Sequence, residues 1–225
     1  MLPTSMLAAS TKRRAQSDSL GDIAYHRIKE KIISLALPPA SVIDESQLVD
    51  ELKVGLTPIR QALRRLSIEN LVVILPRRGT IVADLNISDL HKIFELRIEI
   101  ETLGAKFAAE RATKEQIDAL DTLLQESQVL IDKGNNEQLL QADRQIHILI
   151  AEAASNEYLA ETAERLYSHV QRLWNLSIAE ITGLAQGFQE HTELVEAIRE
   201  RDGERASMLM RNHVSHFQKE INSVF

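Results

Sequence analysis

Residues 48–82, LVDELKVGLTPIRQALRRLSIENLVVILPRRGTIV, constrain the chain more tightly than any other stretch. Two short amphipathic segments, a tight turn and two apolar runs around a basic tip follow one another with almost no slack. Asp44, with Gln47 three residues on, forms an N-cap and partial capping box for a first helix, whose Leu48 and Leu52 recur at helical spacing. Val54 and Gly55 make the turn. Thr57 caps a second helix with Pro58 at its first position, where a missing N–H costs nothing, and the apolar stripe runs Ile59, Leu63, Leu66. Arg60, Arg64 and Arg65 are left for the outside. Val72–Leu75 and residues 80–83 then read as paired strands about the turn Pro76-Arg77-Arg78-Gly79. This order predicts a winged helix-turn-helix.

Such a unit places the start of its second helix in a DNA major groove, so Thr57, Arg60, Gln61 and Arg64 are candidate contacts to base edges and phosphates. The wing tip, Arg77, Arg78 and Gly79, suits a phosphate backbone or a narrow minor groove. Taken alone, the tip reads equally well as a surface hairpin with solvated arginines. Helix, turn, helix and basic wing in sequence favour double-stranded DNA as the partner. One winged helix reads a short site, so a homodimer on a near-palindromic operator is expected.

The net charge of −7 looks wrong for such a partner until the chain is divided. Residues 1–83 hold 12 Lys and Arg against 8 Asp and Glu, a net +4, whereas 84–225 hold 14 against 25, a net −11. Counterion release needs a basic face and not a basic whole, so the acidic part has a different partner. There is no cysteine, hence no disulfide framework and no thiolate metal site, which is compatible with the cytoplasm. No apolar run is long enough for a membrane span. Residues 1–19 include Lys12, Arg13 and Arg14 without an apolar core, and read as a disordered tail.

The chain divides into that tail, a DNA-binding domain over 20–83, a linker over 84–88 and an all-α antiparallel helical bundle over 89–225. In the first domain a helix over 22–35 turns Ile23, Ile28, Ile32 and Leu35 inward and ends at Pro38-Pro39. In the second, Ser88 caps a helix over 89–111. Further helices cover 114–133, 136–154, 157–178, 185–200 and 203–222, broken at Gly134-Asn135, Ser155-Asn156, Thr182-Gly183 and Asp202-Gly203.

Several polar residues of this bundle fall where apolar ones belong. The stripe Leu139, Asp143, Ile146, His147, Ile150, Ala154 puts an acid and a histidine at i and i+4 on one buried face. His191 opens the stripe Leu194, Val195, Ile198, and His213 lies between Met210 and Phe217. If the last two helices form a hairpin about Asp202-Gly203, the two histidines come to nearly the same height, while His216 overshoots and faces away. Each histidine alone is ordinarily a hydrogen-bonded core residue. Together, Asp143, His147, His191 and His213 form a ligand set for one divalent transition metal per chain: Zn, Ni, Co or Mn. His26, His91 and His169 lack such a setting.

Two resemblances attach to these residues. LALPPASVIDESQLVDELKVGLTPIRQALRRLSIENLVVILPRRGTIV resembles the DNA-binding domain of the GntR-type transcription regulators. In that pattern Gly55-Leu56 replaces a usual Ser-Arg pair and Lys53 a usual Gly, while Thr57 and Arg60 match DNA-contacting positions. ISDLHKIFELRIEIETLGAKFAAERAT, DRQIHILIAEAASNEYL and EHTELVEAIRERDGERASMLMRNHV resemble the all-helical effector domain of the FadR-type branch, often abbreviated FCD. That resemblance implies a D-x-x-x-H pair and two later histidines binding metal, here Asp143, His147, His191 and His213. It also implies an arginine near the cavity, here Arg97, and a small organic acid as effector; Arg172 is a further candidate contact. The expected protein is a ligand-responsive regulator, read as a repressor. The alternatives are a DNA-binding protein with a purely structural metal, and a metal-dependent hydrolase with an Asp/His3 centre but no recognisable additional acid or base.

Overall fold

The computed structural model describes residues 19–177 and 184–224, so residues 1–18 of the tail read over 1–19, the end of the helix expected to reach 178 and the break at Thr182-Gly183 lie outside the described residues. The chain forms two compact units that meet in sequence between Asn86 and Ile87.

The first unit runs α1 (Leu20–Ile33), β1 (Val42–Ile43), α2 (Glu45–Leu52), α3 (Leu56–Ile68), β2 (Val72–Leu75) and β3 (Gly79–Val82). Its core joins Ile28 and Ile32 of α1, Leu48 and Leu52 of α2, and Ile59, Leu63 and Leu66 of α3 to Leu71, Val72 and Val82. All are apolar positions at helical or strand spacing, and their burial is the main source of stability for a unit of this size. Asp44 caps α2, accepting from Ser46 N at 2.8 Å and Gln47 N at 3.1 Å.

Four local expectations are corrected. Helix α1 starts earlier, with Ser19 as its N-cap accepting from Asp22 N, so Ser19 does not belong to the tail. It also stops at Ile33, because Leu35 takes a left-handed conformation (φ +62°) and Leu37 N donates back to Lys31 O; the prolines follow an end already made. In α3 the N-cap is Gly55 in extended conformation with no side-chain cap, so Thr57 and Pro58 occupy the second and third helical positions. Proline is tolerated there because the first-turn N–H groups have no intrahelical partner. The wing is three-stranded, in the order β1-β3-β2, with Val42 opposite Ile81 and Leu75 opposite Gly79. Lys53 sits at φ +55°, where the related pattern places glycine.

The second unit is helical among its described residues: α4 (Ile87–Arg111), α5 (Lys114–Asp132), α6 (Asn136–Ala153), α7 (Glu157–Ser177), α8 (Leu184–Arg199) and α9 (Gly203–Val224). Position 88 therefore lies inside the first turn of α4 and is not its cap. Helix α4 packs on α6, α7, α8 and α9, while α5 packs on α6 and α8. The breaks are chemically explicit. Thr113 and Gln116 form a capping box for α5, Gly134 takes φ +65° before Asn135 caps α6, and Asp202 Oδ1 accepts from Arg205 N to start α9.

Arg201, at φ +63° in the α8–α9 turn, reaches back to α4 and donates to Ala109 O at 3.1 Å and Ala112 O at 2.8 Å. A cation on the last carbonyls of a helix satisfies orphan acceptors and opposes the negative end of the helix dipole. Arg201→Ala is therefore expected to lower stability by about 1.5 kcal/mol, the lower end for charged hydrogen bonds because the side chain is partly solvated. A urea titration checks this; an unchanged midpoint would show that water replaces the guanidinium at no cost.

Candidate metal centre and nucleic-acid interface

Asp143 and His147 lie one turn apart on α6, His191 on α8 and His213 on α9, and their relative exposures are 1%, 6%, 0% and 2%. One ligand atom from each lies within 4.8 Å of every other. His147 Nε2 is 3.2 Å from His213 Nε2 and 3.3 Å from His191 Nε2, and Asp143 Oδ1 stands 3.9 Å from His147 Nε2 and 3.8 Å from His191 Nε2. His216 stands beside the group, bonded to Glu190 Oε1 at 3.0 Å.

Two carboxylates decide what these nitrogens can do. Glu101 of α4 accepts from His147 Nδ1, and Glu190 of α8 accepts from His213 Nδ1 at 2.8 Å. In the neutral form that binds metal, each ring would keep its hydrogen on Nδ1 and turn the lone pair of Nε2 inward. Two lone pairs facing one another at 3.2 Å repel unless a cation lies between them. Nitrogens about 2.0–2.1 Å from a common ion stand roughly 3–3.4 Å apart, so the spacing and the tautomers both fit a metal.

The electrostatics agree. Burial, followed by the neighbouring imidazoles, pushes His191 and His213 well below the ordinary histidine range, leaving both in the neutral form that binds metal. Burial also raises Asp143, against the pull of His147, and a cation would reverse that shift. Burial works to raise Glu101, but the Arg97 guanidinium and His147 outweigh it and hold this carboxyl well below the usual range. Tyr167 of α7 donates to Asp143 Oδ2 and fixes that side chain.

Of the two candidate effector residues, Arg97 is 2% exposed. Its Nε donates to Glu101, its guanidinium lies over the Tyr167 ring at 4.8 Å, and its Nη1 has no hydrogen-bond partner. Arg172 is buried in α7 at 1% exposure. Glu101, Glu190 and Tyr167 escaped the sequence reading. The only signals were Arg97–Glu101 at i,i+4, which looks like a solvated pair, and the adjacency of Glu190 to His191.

In the first unit, Thr57, Arg60, Gln61 and Arg64 are exposed along α3. Arg60 Nε donates to Glu45 Oε2 at 2.8 Å, and Gln61 leans towards Gly21, with its Oε1 only 3.1 Å from where a Cβ there would stand. Arg65 is also exposed, as expected, and is engaged by α1: it pairs with Asp22 at 2.5 Å and lies over the Tyr25 ring at 3.9 Å. In the wing, Pro76 and Arg77 (φ +63°) make the turn closed by Arg78 N on Leu75 O at 3.1 Å. Gly79 follows at φ +89°, and Arg77, Arg78 and Gly79 all stand exposed.

Comparison with known proteins covers both units. The family described as bacterial regulatory proteins, gntR family, matches residues 20–82, and the FCD domain matches 92–216. The chain is 25% identical over 197 residues to the HTH-type transcriptional regulator YdhC of Bacillus subtilis, covering 85% of this chain and 86% of that one. It is 22% identical over 200 residues to the HTH-type transcriptional repressor RspR of Escherichia coli, covering 89% and 88%. Among solved structures, E. coli McbR/YncC superposes with a TM-score of 0.82 at 22% identity over 92% of this chain and 98% of that one. A GntR regulator from Rhodococcus sp. RHA1 gives 0.76 at 15% identity, over 92% and 100%. These likenesses establish the shared fold.

Proposed function

The chain belongs to the GntR family and is a DNA-binding transcription regulator with an FCD domain, and from that premise we propose that it is a metal-containing repressor released or engaged by a small organic acid. The matched domains and relatives are regulators and not enzymes, so the hydrolase reading falls away. Members of the family bind DNA operators and are typically dimeric. For this chain we assign a homodimer on a near-palindromic operator, read by Thr57, Arg60, Gln61 and Arg64 with Arg77, Arg78 and Gly79 of the wing on phosphate. A DNA partner places it in the cytoplasm. Among the described residues no helix is long and apolar enough to cross a membrane.

The observation that carries the reading is the 3.2 Å approach of His147 Nε2 to His213 Nε2, with the Nδ1 atom of each ring on a carboxylate, Glu101 or Glu190. Asp143, His147, His191 and His213 hold one divalent ion, with Zn, Ni, Co and Mn all compatible with an Asp/His3 set. When bound, the ion supplies a positive focus for a carboxylate. Arg97 offers the unpartnered Nη1 as a second anchor, and Arg172 adds a further buried cation. The cavity between Glu101, His147, Ala163 and Tyr167 measures about 10 Å³, room for one water. Admitting an acid therefore requires side chains that close this cavity to rearrange, and such a differential interaction is what lets a ligand bias two states.

Near-complete burial of all four ligands favours a second reading, a closed structural metal. Native mass spectrometry with and without chelator, joined to operator titration with added acids, tests both. One ion per chain in a dimer, with acid-dependent operator affinity, is expected. Full operator affinity unchanged by any acid would leave only the structural metal, and protein that stays metal-free in excess zinc would remove the centre.

A further inference from the structure

Helix α7 buries more polar chemistry than its packing uses. Tyr167, Gln171 and Trp174 fall at i, i+4 and i+7, one face of the helix, with exposures of 4%, 5% and 3%. Tyr167 is committed to Asp143. Gln171 Oε1 and Trp174 Nε1, by contrast, are buried without a hydrogen-bond partner. An indole N–H and an amide oxygen removed from water unpaired are costly, and such groups in a native fold call for an explanation.

Their surroundings locate them. The Trp174 ring packs at a tilt against Phe217 at 4.7 Å, and Phe217 meets the His213 ring edge-on at 4.7 Å. The face of α7 thus borders the metal cluster at both ends, through Tyr167 on Asp143 and through Trp174 by way of Phe217 on His213. Gln171 lies between these two anchors, a single helical turn, roughly 5–6 Å, from Tyr167. Phe217 is held there by the absence of a side chain at Gly187, where a Cβ would stand 2.5 Å from its ring.

We propose that Gln171 and Trp174 form a hydroxyl-reading subsite, so that the effector is a hydroxy acid and not a plain carboxylic acid. A hydroxyl can donate to Gln171 Oε1 and accept from Trp174 Nε1 at once, whereas a methylene leaves both atoms unpaired. The inference rests on the acid-responsive reading above, which puts the carboxylate at the metal and Arg97; Gln171, one turn away, is then within reach of a hydroxyl on a neighbouring carbon. Discrimination follows from a site built for a hydroxyl, which penalises an analogue lacking it.

The test is calorimetry on the full-length, metal-loaded protein with matched acids: L- and D-malate against succinate, and L- and D-lactate against propionate. At least one hydroxy acid is expected to bind about tenfold or more tightly than its deoxy partner, the effect of one buried hydrogen bond. Trp174→Phe keeps the ring against Phe217 but removes the N–H, and Gln171→Met keeps bulk but removes the amide. Each is expected to abolish most of that preference while metal content and the affinity for the deoxy acid stay near wild type. Equal binding of both members of each pair, or a preference that survives in both variants, overturns the subsite and leaves the acid-responsive reading standing. Binding by none of these acids overturns both.

Discussion

His191→Ala combined with His213→Ala is expected to leave the protein unable to retain a divalent metal, and to erase the rise in melting temperature that zinc, nickel, cobalt or manganese gives the parent. Two of four ligands go, one from each arm of the α8–α9 hairpin, and the remaining Asp143 and His147 share a single helix. An ion present at about a thousand times its Kd stabilises the parent by about 4 kcal/mol, all of which the variant forgoes. The informative quantity is the metal-induced difference in Tm, because emptying two buried positions has its own packing cost in both conditions. Chelated parent protein should also melt lower, since it loses the stabilisation that a bound ion gives the folded state. Full metal occupancy in the double variant would remove the proposed centre.

Much of this site was legible before any coordinates. Asp143 and His147 stood out because an acid and a histidine at i and i+4 broke an otherwise apolar stripe, and the shared height of His191 and His213 followed from a helical rise and a Gly-containing turn. The carboxylates that aim the rings were not. Glu101 belongs to a different helix from His147, and on its own helix it looks like half of an exposed Arg–Glu pair; only tertiary packing makes it buried and shared between Arg97 and His147. The unpaired atoms of Gln171 and Trp174 were invisible for the same reason, since a satisfied and an unsatisfied amide have one sequence.

The same division holds in the winged unit. Helices α2 and α3 carry their own signals, a capping aspartate and a stripe at Ile59, Leu63 and Leu66. Strand β1 has only two residues, too few for a period to show, and is defined by its pairing with Ile81 and Thr80. The early end of α1 depends on Leu35 entering a left-handed conformation that leucine does not advertise. Helical geometry puts Arg65 outside, and it is exposed there, but only tertiary packing ties it to the Tyr25 ring and Asp22 on α1. That tie leaves Arg60 and Arg64 as the exposed guanidiniums of α3 that are not held against α1.

Arg60→Ala is accordingly expected to cost about 1–3 kcal/mol of binding to an operator selected from a random duplex pool, or roughly 5–150-fold in Kd, and to relax base preference at one position of each half-site. The side chain is 59% exposed and tied to Glu45, itself 26% exposed. An ion pair so solvated contributes little, so DNA can take the guanidinium from Glu45 at small cost. Glu45→Gln should free Arg60, remove an anion facing the phosphates and tighten binding to operator and random duplex alike by a few-fold. Arg77→Ala and Arg78→Ala should weaken every sequence similarly and reduce the slope of log affinity against log salt by about one unit each, because wing contacts act through counterion release. Gel-shift titrations of the four variants against operator and random duplex at several salt concentrations separate these roles. Equal losses on both duplexes would make Arg60 a phosphate contact, and no loss on either would take α3 out of the groove.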